Sequence, residues 1–379
     1  MKTIAIFTGY YLPHTGGVER YVDKISKELA ANGYRVVIVT SNNDNNPSTY
    51  ERIDNKRSIY RIPIYGLFKD RYPIPKINAQ YKSLLKKFRE EEVGFYILNT
   101  RFHLTSLIGA RLAKSMNKEA ILIEHGTSHF TVGNRFLDAL GLLYEHALTY
   151  VVKKYVSRFF GVSKKCNDWL RHYRIKAEGV IYNSIDPDDL LIADDEFSKK
   201  YKSNVIVITY AGRLIKEKGI LNLLDAFVAI NNHRCSLVIA GDGPLLDQIK
   251  DLSRKHENID VLGRLDFKRV LSLYKRTDIF VYPSQYPEGL PTSILEAALM
   301  NCAVVATPRG GTEEVIIDSK HGRIIDGSVD SINEALSDLV NNPKSRKSVS
   351  GMIKRRVETK FTWKTTTQNL ISIIEGHDE

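Results

Sequence analysis

The chain has 379 residues, 43% hydrophobic and 26% charged, with 55 Lys and Arg against 44 Asp and Glu for a formal charge of +11. That length exceeds what one hydrophobic core usually organises and predicts two domains, and the composition excludes a disordered chain. No stretch approaches the ~18 apolar residues of a membrane-spanning helix, and the apolar run inside Met1–Thr8 is too short for a secretory signal.

In the first half, short β-branched runs alternate with longer amphipathic stretches. Strands are expected at Thr3–Thr8, Arg35–Thr40, Phe95–Asn99, Ala120–Glu124, Arg158–Val162 and Gly179–Tyr182, the pattern of repeated βαβ units and a mostly parallel sheet. Val18, Tyr21, Val22, Ile25 and Leu29 recur at three- and four-residue steps, predicting a helix that begins at Gly16-Gly17 and is capped by Gly33. Gly16 and Gly17 let the backbone approach a phosphate at a helix N-terminus; the pair also reads as an ordinary strand-to-helix turn. Tyr81, Leu84, Leu85 and Phe88 lie on one side of Lys82, Lys86 and Arg89. Such a helix suits an anionic membrane face or a solvated face over a packed apolar stripe.

His103 and His125 both fall at the ends of expected strands. His125, inside Glu124-His125-Gly126, would protrude at a strand's carboxyl end, although a lone histidine is usually structural. His129 follows without any further ligand pattern, so no zinc site is expected. Cys166, Cys235 and Cys302 are far apart and lack metal-type spacing, which fits buried thiols in a reducing cytoplasm.

Asn183–Asp189, rich in Asp, Asn and Pro, reads as an interdomain linker with the boundary near Asp186. This divides the chain into domains 1–186 and 187–362. Asp188-Asp189 and Asp194-Asp195 are expected as solvated linker charges. The alternation then restarts with strands at Asn204–Tyr210, Ser236–Gly241, Ile259–Leu262, Asp278–Tyr282, Ala303–Thr307 and Arg323–Ile325, and a final helical stretch after Trp363 has no strand to follow it.

Two motifs in this half carry complementary charge. Gly212-Arg213-Leu214-Ile215-Lys216-Glu217-Lys218-Gly219 follows the first strand and opens a helix. Arg213 and Lys218 would stand at the strand's carboxyl end as a guanidinium-plus-ammonium clamp for a diphosphate; read alone, the motif is also a solvated basic turn. Glu288-Gly289-Leu290-Pro291-Thr292-Ser293-Ile294-Leu295-Glu296 likewise joins a strand to a helix. It sets a carboxylate, backbone N–H groups and a positive helix end around one crevice. Thr292 and Ser293, donor-side residues at the helix start, are expected to cap that helix or else to touch phosphate. A ligand with hydroxyls at one end and phosphates in the middle fits, and a nucleotide sugar is such a ligand. No Asp-x-Asp carboxylate pair stands in a suitable setting, so fixed cations rather than a metal would stabilise the leaving diphosphate, and no cofactor is expected. Asp242-Gly243-Pro244 reads as a tight turn and lacks the third glycine of a dinucleotide fingerprint.

The Glu-x7-Glu spacing, the Gly-Arg-Leu…Lys-Gly turn, Gly16-Gly17-Val18-Glu19 and Glu124-His125-Gly126 resemble the retaining family 4 glycosyltransferases of the GT-B fold. The resemblance runs from Met1 to about Trp363. It implies an α/β chain of two Rossmann-like, doubly wound domains facing across a cleft, the first on the acceptor side and the second binding the nucleotide sugar. It also implies a C-terminal helix, 363–379, that returns to the first domain. By resemblance, the Gly16-Gly17 loop closes over the donor phosphate, Glu288 and the Gly289, Leu290 and Pro291 backbone meet the donor sugar, and Glu296 holds the ribose. Arg264, after Gly263, lies near the base, and His125 lies beside the reacting carbon; His103 could line the acceptor side. The expected activity is transfer of a hexosyl or N-acetylhexosaminyl group, with UDP favoured, to a hydroxyl of a lipid-linked or surface-polysaccharide acceptor, in the cytoplasm or at the inner face of the membrane. An epimerase or hydrolase on the same scaffold is the alternative. A nucleic-acid partner is excluded because the positive charges are spread among 44 acids with no recognisable module.

Overall fold

The computed structural model describes residues 2–14, 16–42, 48–67, 72–131 and 133–376. It divides into two compact units, Met1–Asn183 with Thr366–Glu379, and Ser184–Thr365.

The strands of the first unit are β1 Thr3–Phe7, β2 Arg35–Asn42, β3 Tyr50–Arg52, β4 Arg57–Leu67, β5 Tyr72–Pro75, β6 Val93–Asn99, β7 Glu119–Glu124, β8 Arg158–Gly161 and β9 Gly179–Val180. Its helices are α1 Gly17–Ala31, α2 Ala79–Arg89, α3 Leu104–Ser115, α4 Arg135–Val152 and α5 Lys164–Arg171. The sheet order is β3-β4-β2-β1-β6-β7-β8-β9, with β5 on β4. All neighbours are parallel except β3 and β5, which pair antiparallel with β4. Every residue of β1 is buried, as a central parallel strand covered by helices on both faces requires. The six strands expected from the pattern are all present. The antiparallel extension β3 to β5 escaped it because Arg61, Pro63 and Gly66 punctuate β4 with residues that normally argue against a strand.

Gly16 is the N-cap of α1, and Tyr21, Val22, Ile25 and Leu29 are its buried stripe. Along α2, Leu84 and Phe88 enter the core beside Phe7 and Tyr60, with Tyr81 and Leu85 packed against them. The apolar side of α2 is therefore consumed by the core, and Lys82, Lys86 and Arg89 are its solvated face rather than the border of a membrane-binding stripe. The exposed apolar face lies on α4 instead, where Phe136 (72%), Leu140 (48%), Leu143 (64%) and Tyr150 (64%) are open at helical spacing. Among the described residues, no helix is long and apolar enough to cross a membrane. All three cysteines are buried free thiols.

In the second unit the strands are β10 Ile206–Ala211, β11 Cys235–Ala240, β12 Ile259–Gly263, β13 Ile279–Tyr282, β14 Ala303–Ala306 and β15 Arg323–Ile324. The helices are α6 Asp189–Ile192, α7 Glu196–Lys200, α8 Ile220–Ile230, α9 Leu246–Ser253, α10 Phe267–Arg276, α11 Thr292–Leu299, α12 Thr312–Val315, α13 Val329–Asn341 and α14 Pro343–Lys360. The sheet is parallel throughout, in the order β12-β11-β10-β13-β14-β15. The chain enters at β10, works outward to β12, then crosses back to lay β13 on the other side of β10. That reversal is the topological switch point at which doubly wound sheets open a crevice beyond their strand ends.

The units divide between Asn183 and Ser184, inside the Asn183–Asp189 segment. Ile185 N donates to Phe361 O (2.9 Å) and Trp363 N donates to Ile185 O (3.0 Å), which ties this segment into the second unit. Of the following acids, Asp189 is buried and is not a solvated charge, whereas Asp188 is exposed; Asp194 and Asp195 stay largely open to solvent while pairing with Lys268 (3.2 Å) and Lys275 (2.9 Å) of α10. The last helix, α15 Trp363–Glu375, carries the chain into the first unit from Thr366 onward. There Asn369 donates to Val180 O (3.1 Å) and Tyr34 donates to Glu375 Oε1 (2.8 Å).

Candidate active site

The loops that follow β10 and β13 meet at the switch point and are locked to each other through backbone groups. Gln285 N donates to Glu217 O at 2.7 Å. Gly219 closes the turn of 3-10 helix at Lys216–Lys218 with φ 70°, and a Cβ there would overlap the Pro283 carbonyl oxygen. Only glycine satisfies both the left-handed backbone and that approach. The loop after β14 joins from the far side, where Gly311 N donates to Gly289 O at 2.8 Å. On the near side, Leu214 N donates to Asp242 O (2.9 Å) and Gly241 N to Gly263 O (2.8 Å). The turn at Asp242-Gly243-Pro244 thus serves as a wedge between the β10 and β12 loops.

This scaffold brings Lys218 and Glu288 into direct contact. The Lys218 ammonium is buried, pairs with Glu288 Oε1 and donates to the Tyr282 hydroxyl at 2.8 Å. Tyr282 donates to the same Glu288 oxygen at 2.8 Å, and Ser284 Oγ donates to it at 3.3 Å. Burial pulls the Lys218 ammonium below its ordinary value while Glu288 holds it up, and the nearby Arg213 guanidinium lowers it again. The Tyr282 phenol is pushed well up by burial and by the Glu288 carboxylate, so it remains a donor. Arg213 is exposed, with its guanidinium 5.0 Å from the centre of the Tyr286 ring; Lys218 approaches the same ring at 5.3 Å. Tyr210 donates to Arg213 O at 2.9 Å and holds the backbone of that turn. Glu296 is buried on α11.

Pro291 is the N-cap of α11 and no side chain caps the helix. Thr292 is its first residue, so the cap expected from Thr292 and Ser293 is not made, because a proline in extended geometry already sets the entry angle. Such a helix start favours an anion. Arg264 is exposed after β12, two strand spacings or about 10 Å from β10 along the same sheet edge. Tyr282, Ser284 and Tyr286 were not among the residues singled out in the sequence. The available signal was their place at the carboxyl end of the strand that begins the second half of the sheet.

In the first unit, His125 stands after β7, with its ring edge-on to Tyr21 at 4.8 Å and its Nε2 2.9 Å from Asn99 Oδ1. His103 precedes α3, and its ring lies directly against Gly9. Burial pushes both imidazoles down to about 4. Glu124 does not project outward. Its Oε1 accepts from the backbone N–H of His125 and Gly126, both at 3.1 Å, and its Oε2 accepts from Arg101 at 2.7 Å. Arg101 is fully buried and also donates to Glu145 Oε2 (2.7 Å) and the Tyr173 hydroxyl (2.6 Å). This ionic network, unseen in the sequence because its members are scattered along the chain, fixes the turn that carries His125. His129, expected to lie apart from any other ligand, is brought together with His146 and His172, their candidate ligand atoms all within 4.8 Å of one another.

Residues 15–189 match the family model described as Glycosyltransferase Family 4, and residues 192–356 match that described as Glycosyl transferases group 1. An uncharacterized glycosyltransferase of Methanocaldococcus jannaschii is 27% identical over 384 residues, covering 98% of each chain. The GPI3 subunit of phosphatidylinositol N-acetylglucosaminyltransferase from Saccharomyces cerevisiae is 21% identical, covering 98% of this chain and 82% of that one. Among solved structures, Anabaena Alr3699/HepE in complex with UDP and glucose has the same fold, with a TM-score of 0.74 at 15% identity over 99% of this chain and all of that one. With both halves matched in order and each built on a Rossmann-like sheet, the chain belongs to the family 4, group 1 glycosyltransferases of the GT-B fold, enzymes that transfer a sugar from a nucleotide sugar.

Proposed function

We propose that the protein moves a hexosyl or N-acetylhexosaminyl group from a UDP-sugar to a hydroxyl of a lipid-linked or surface-polysaccharide acceptor, retaining the anomeric configuration and using no metal in the transfer. The observation that carries this reading is the Lys218–Tyr282–Glu288 cluster at the β10/β13 switch point. A bound diphosphate draws Lys218 away from Glu288, Arg213 adds a second cation from the loop edge, and the α11 start supplies N–H groups. Glu288, released from the ion pair, accepts from the sugar hydroxyls, with Gly289, Leu290 and Pro291 giving close backbone contacts and Thr292 at the helix start meeting phosphate. Glu296 takes the ribose hydroxyls and Arg264 borders the base. In the transfer the bond from the anomeric carbon to the diphosphate oxygen breaks and a bond to the acceptor oxygen forms, the acceptor's proton leaving with the diphosphate. Cations fixed beside that diphosphate act on the charge it gains.

On this reading the second domain is the donor side. The first is the acceptor side, with the Gly16-Gly17 loop against the donor phosphate, His125 near the reacting carbon and His103 toward the acceptor. The exposed Phe136, Leu140, Leu143 and Tyr150 of α4 suit contact with the membrane that holds a lipid-linked acceptor, on its cytoplasmic face. The relative named for phosphatidylinositol is in keeping with that acceptor class, as the HepE complex is with UDP. The test is nucleotide release from a panel of UDP- and GDP-sugars in EDTA, with and without membrane lipid extract, followed by the anomeric configuration of the product. Acceptor-dependent release from a UDP-sugar that survives chelation supports the reading; acceptor-independent turnover replaces it with an epimerase or hydrolase.

A further inference from the structure

The loop after β7, helix α4 and the end of α5 each contribute one histidine to a single cluster: His129, His146 and His172. Their ring centroids are 5.4 Å (129 to 146), 5.2 Å (129 to 172) and 5.0 Å (146 to 172) apart. His146 and His172 face each other Nε2 to Nε2 at 3.2 Å. Two imidazoles bound to one tetrahedral ion at ~2.0–2.1 Å place their nitrogens roughly 3.3 Å apart, so that pair already has the spacing of ligands.

Each ring is also held by something other than its histidine neighbours. His129 Nδ1 lies 3.1 Å from Glu145 Oε2 and 3.1 Å from the Tyr173 hydroxyl, which leaves its Nε2 as the ligating atom. This is the carboxylate–histidine arrangement that orients metal ligands and raises their basicity. Glu145 is itself pinned, Oε1 accepting from Phe130 N at 2.9 Å and Oε2 from Arg101 at 2.7 Å. The indole of Trp169 stacks on His172 at 4.9 Å with 5° between planes, and the Tyr173 ring lies 4.8 Å from His146. Behind the cluster, two buried carboxylates, Glu124 and Glu145, share the one guanidinium of Arg101. Those three groups together carry one net negative charge.

We propose that His129, His146 and His172 form a binding site for a first-row divalent transition ion, zinc by preference, with Glu145 as the group that orients His129. Three imidazoles match the ligand preference of zinc. His172 is exposed, so the fourth position faces solvent and takes water. The bound ion clamps the loop after β7, which begins at His125, to α4 and α5. This proposal does not depend on the reading of Lys218 and Glu288.

The full-length protein is stripped with EDTA, exchanged into chelator-free buffer, loaded with zinc chloride and desalted, and its metal content measured. Cobalt loading of the same stripped protein is read by visible absorption. One zinc per chain, the d–d bands of tetrahedral cobalt displaced by zinc, and loss of both in His146→Gln/His172→Gln but not in His233→Gln are expected. A rise in the wild-type melting temperature on zinc addition, absent from the double variant, accompanies them. Circular dichroism confirms that the double variant is folded; if it is not, the wild-type cobalt spectrum alone decides. Zinc retained equally by wild type and double variant, octahedral cobalt spectra, or much less than one equivalent in the wild type overturns the proposal and leaves the cluster as aromatic packing.

Discussion

Both units place ionised side chains near the carboxyl ends of their parallel strands, and the two arrangements differ in one physical respect. In the first, Arg101, Glu124 and Glu145 are wholly buried and every link is a short, direct hydrogen bond. In the second, Lys218 is buried but Glu288 is only partly so, and Arg213 beside them is exposed. A fully desolvated network cannot exchange partners without a large penalty, whereas a pair at the edge of solvent can trade one anion for another. The first is a brace; the second has the exposure that the proposed donor site needs.

The sharpest way to break the comparison is Arg101→Met, which strands two buried carboxylates. It should cost on the order of 3–5 kcal/mol, visible as a lowered urea midpoint, while the same measurement on Glu288→Gln should show little change. Glu288→Gln should instead lower the transfer rate by roughly 10²–10³-fold, measured by steady-state kinetics on the best donor of the panel. If that variant lost stability rather than rate, the second site would be a brace too.

A third test uses pH. His103 and His125 titrate near 4 in the folded protein against about 6.5 in an unfolded chain. Between those values the unfolded state binds more protons, so stability is complete above pH ~6.5 and falls as pH drops toward 4, by at most about 3 kcal/mol for each histidine. Urea midpoints across that range should fall less steeply in His103→Asn. The smallest effect is expected for Arg213→Gln, an exposed cation. It should weaken UDP binding about tenfold, roughly 1.4 kcal/mol, in titration calorimetry, without moving the melting temperature.

The second sheet was legible almost strand for strand, because each of its six strands is a short β-branched run bounded by turn residues. The first was less so, since β4 contains Arg61, Pro63 and Gly66 and pairs with β3 and β5 along an edge that no local pattern announces. The same contrast holds for the sites. Glu288 and Lys218 lie in strand-to-helix turns whose residue types advertise them, whereas Tyr282, Ser284 and Tyr286 became visible only when β13 was laid beside β10.

The six strands of the second sheet, the glycine at 219 and the acid and cation of the proposed donor site follow from local chemistry: propensity, turn geometry and charge act between near neighbours, and the chain alone determines them. The partners of Arg101, the pairing of Lys218 with Glu288 and the meeting of His129, His146 and His172 were decided by tertiary structure. Each joins residues far apart along the chain, and only the packing of helices on a finished sheet brings such groups within the few ångströms at which a hydrogen bond or a coordinate bond forms.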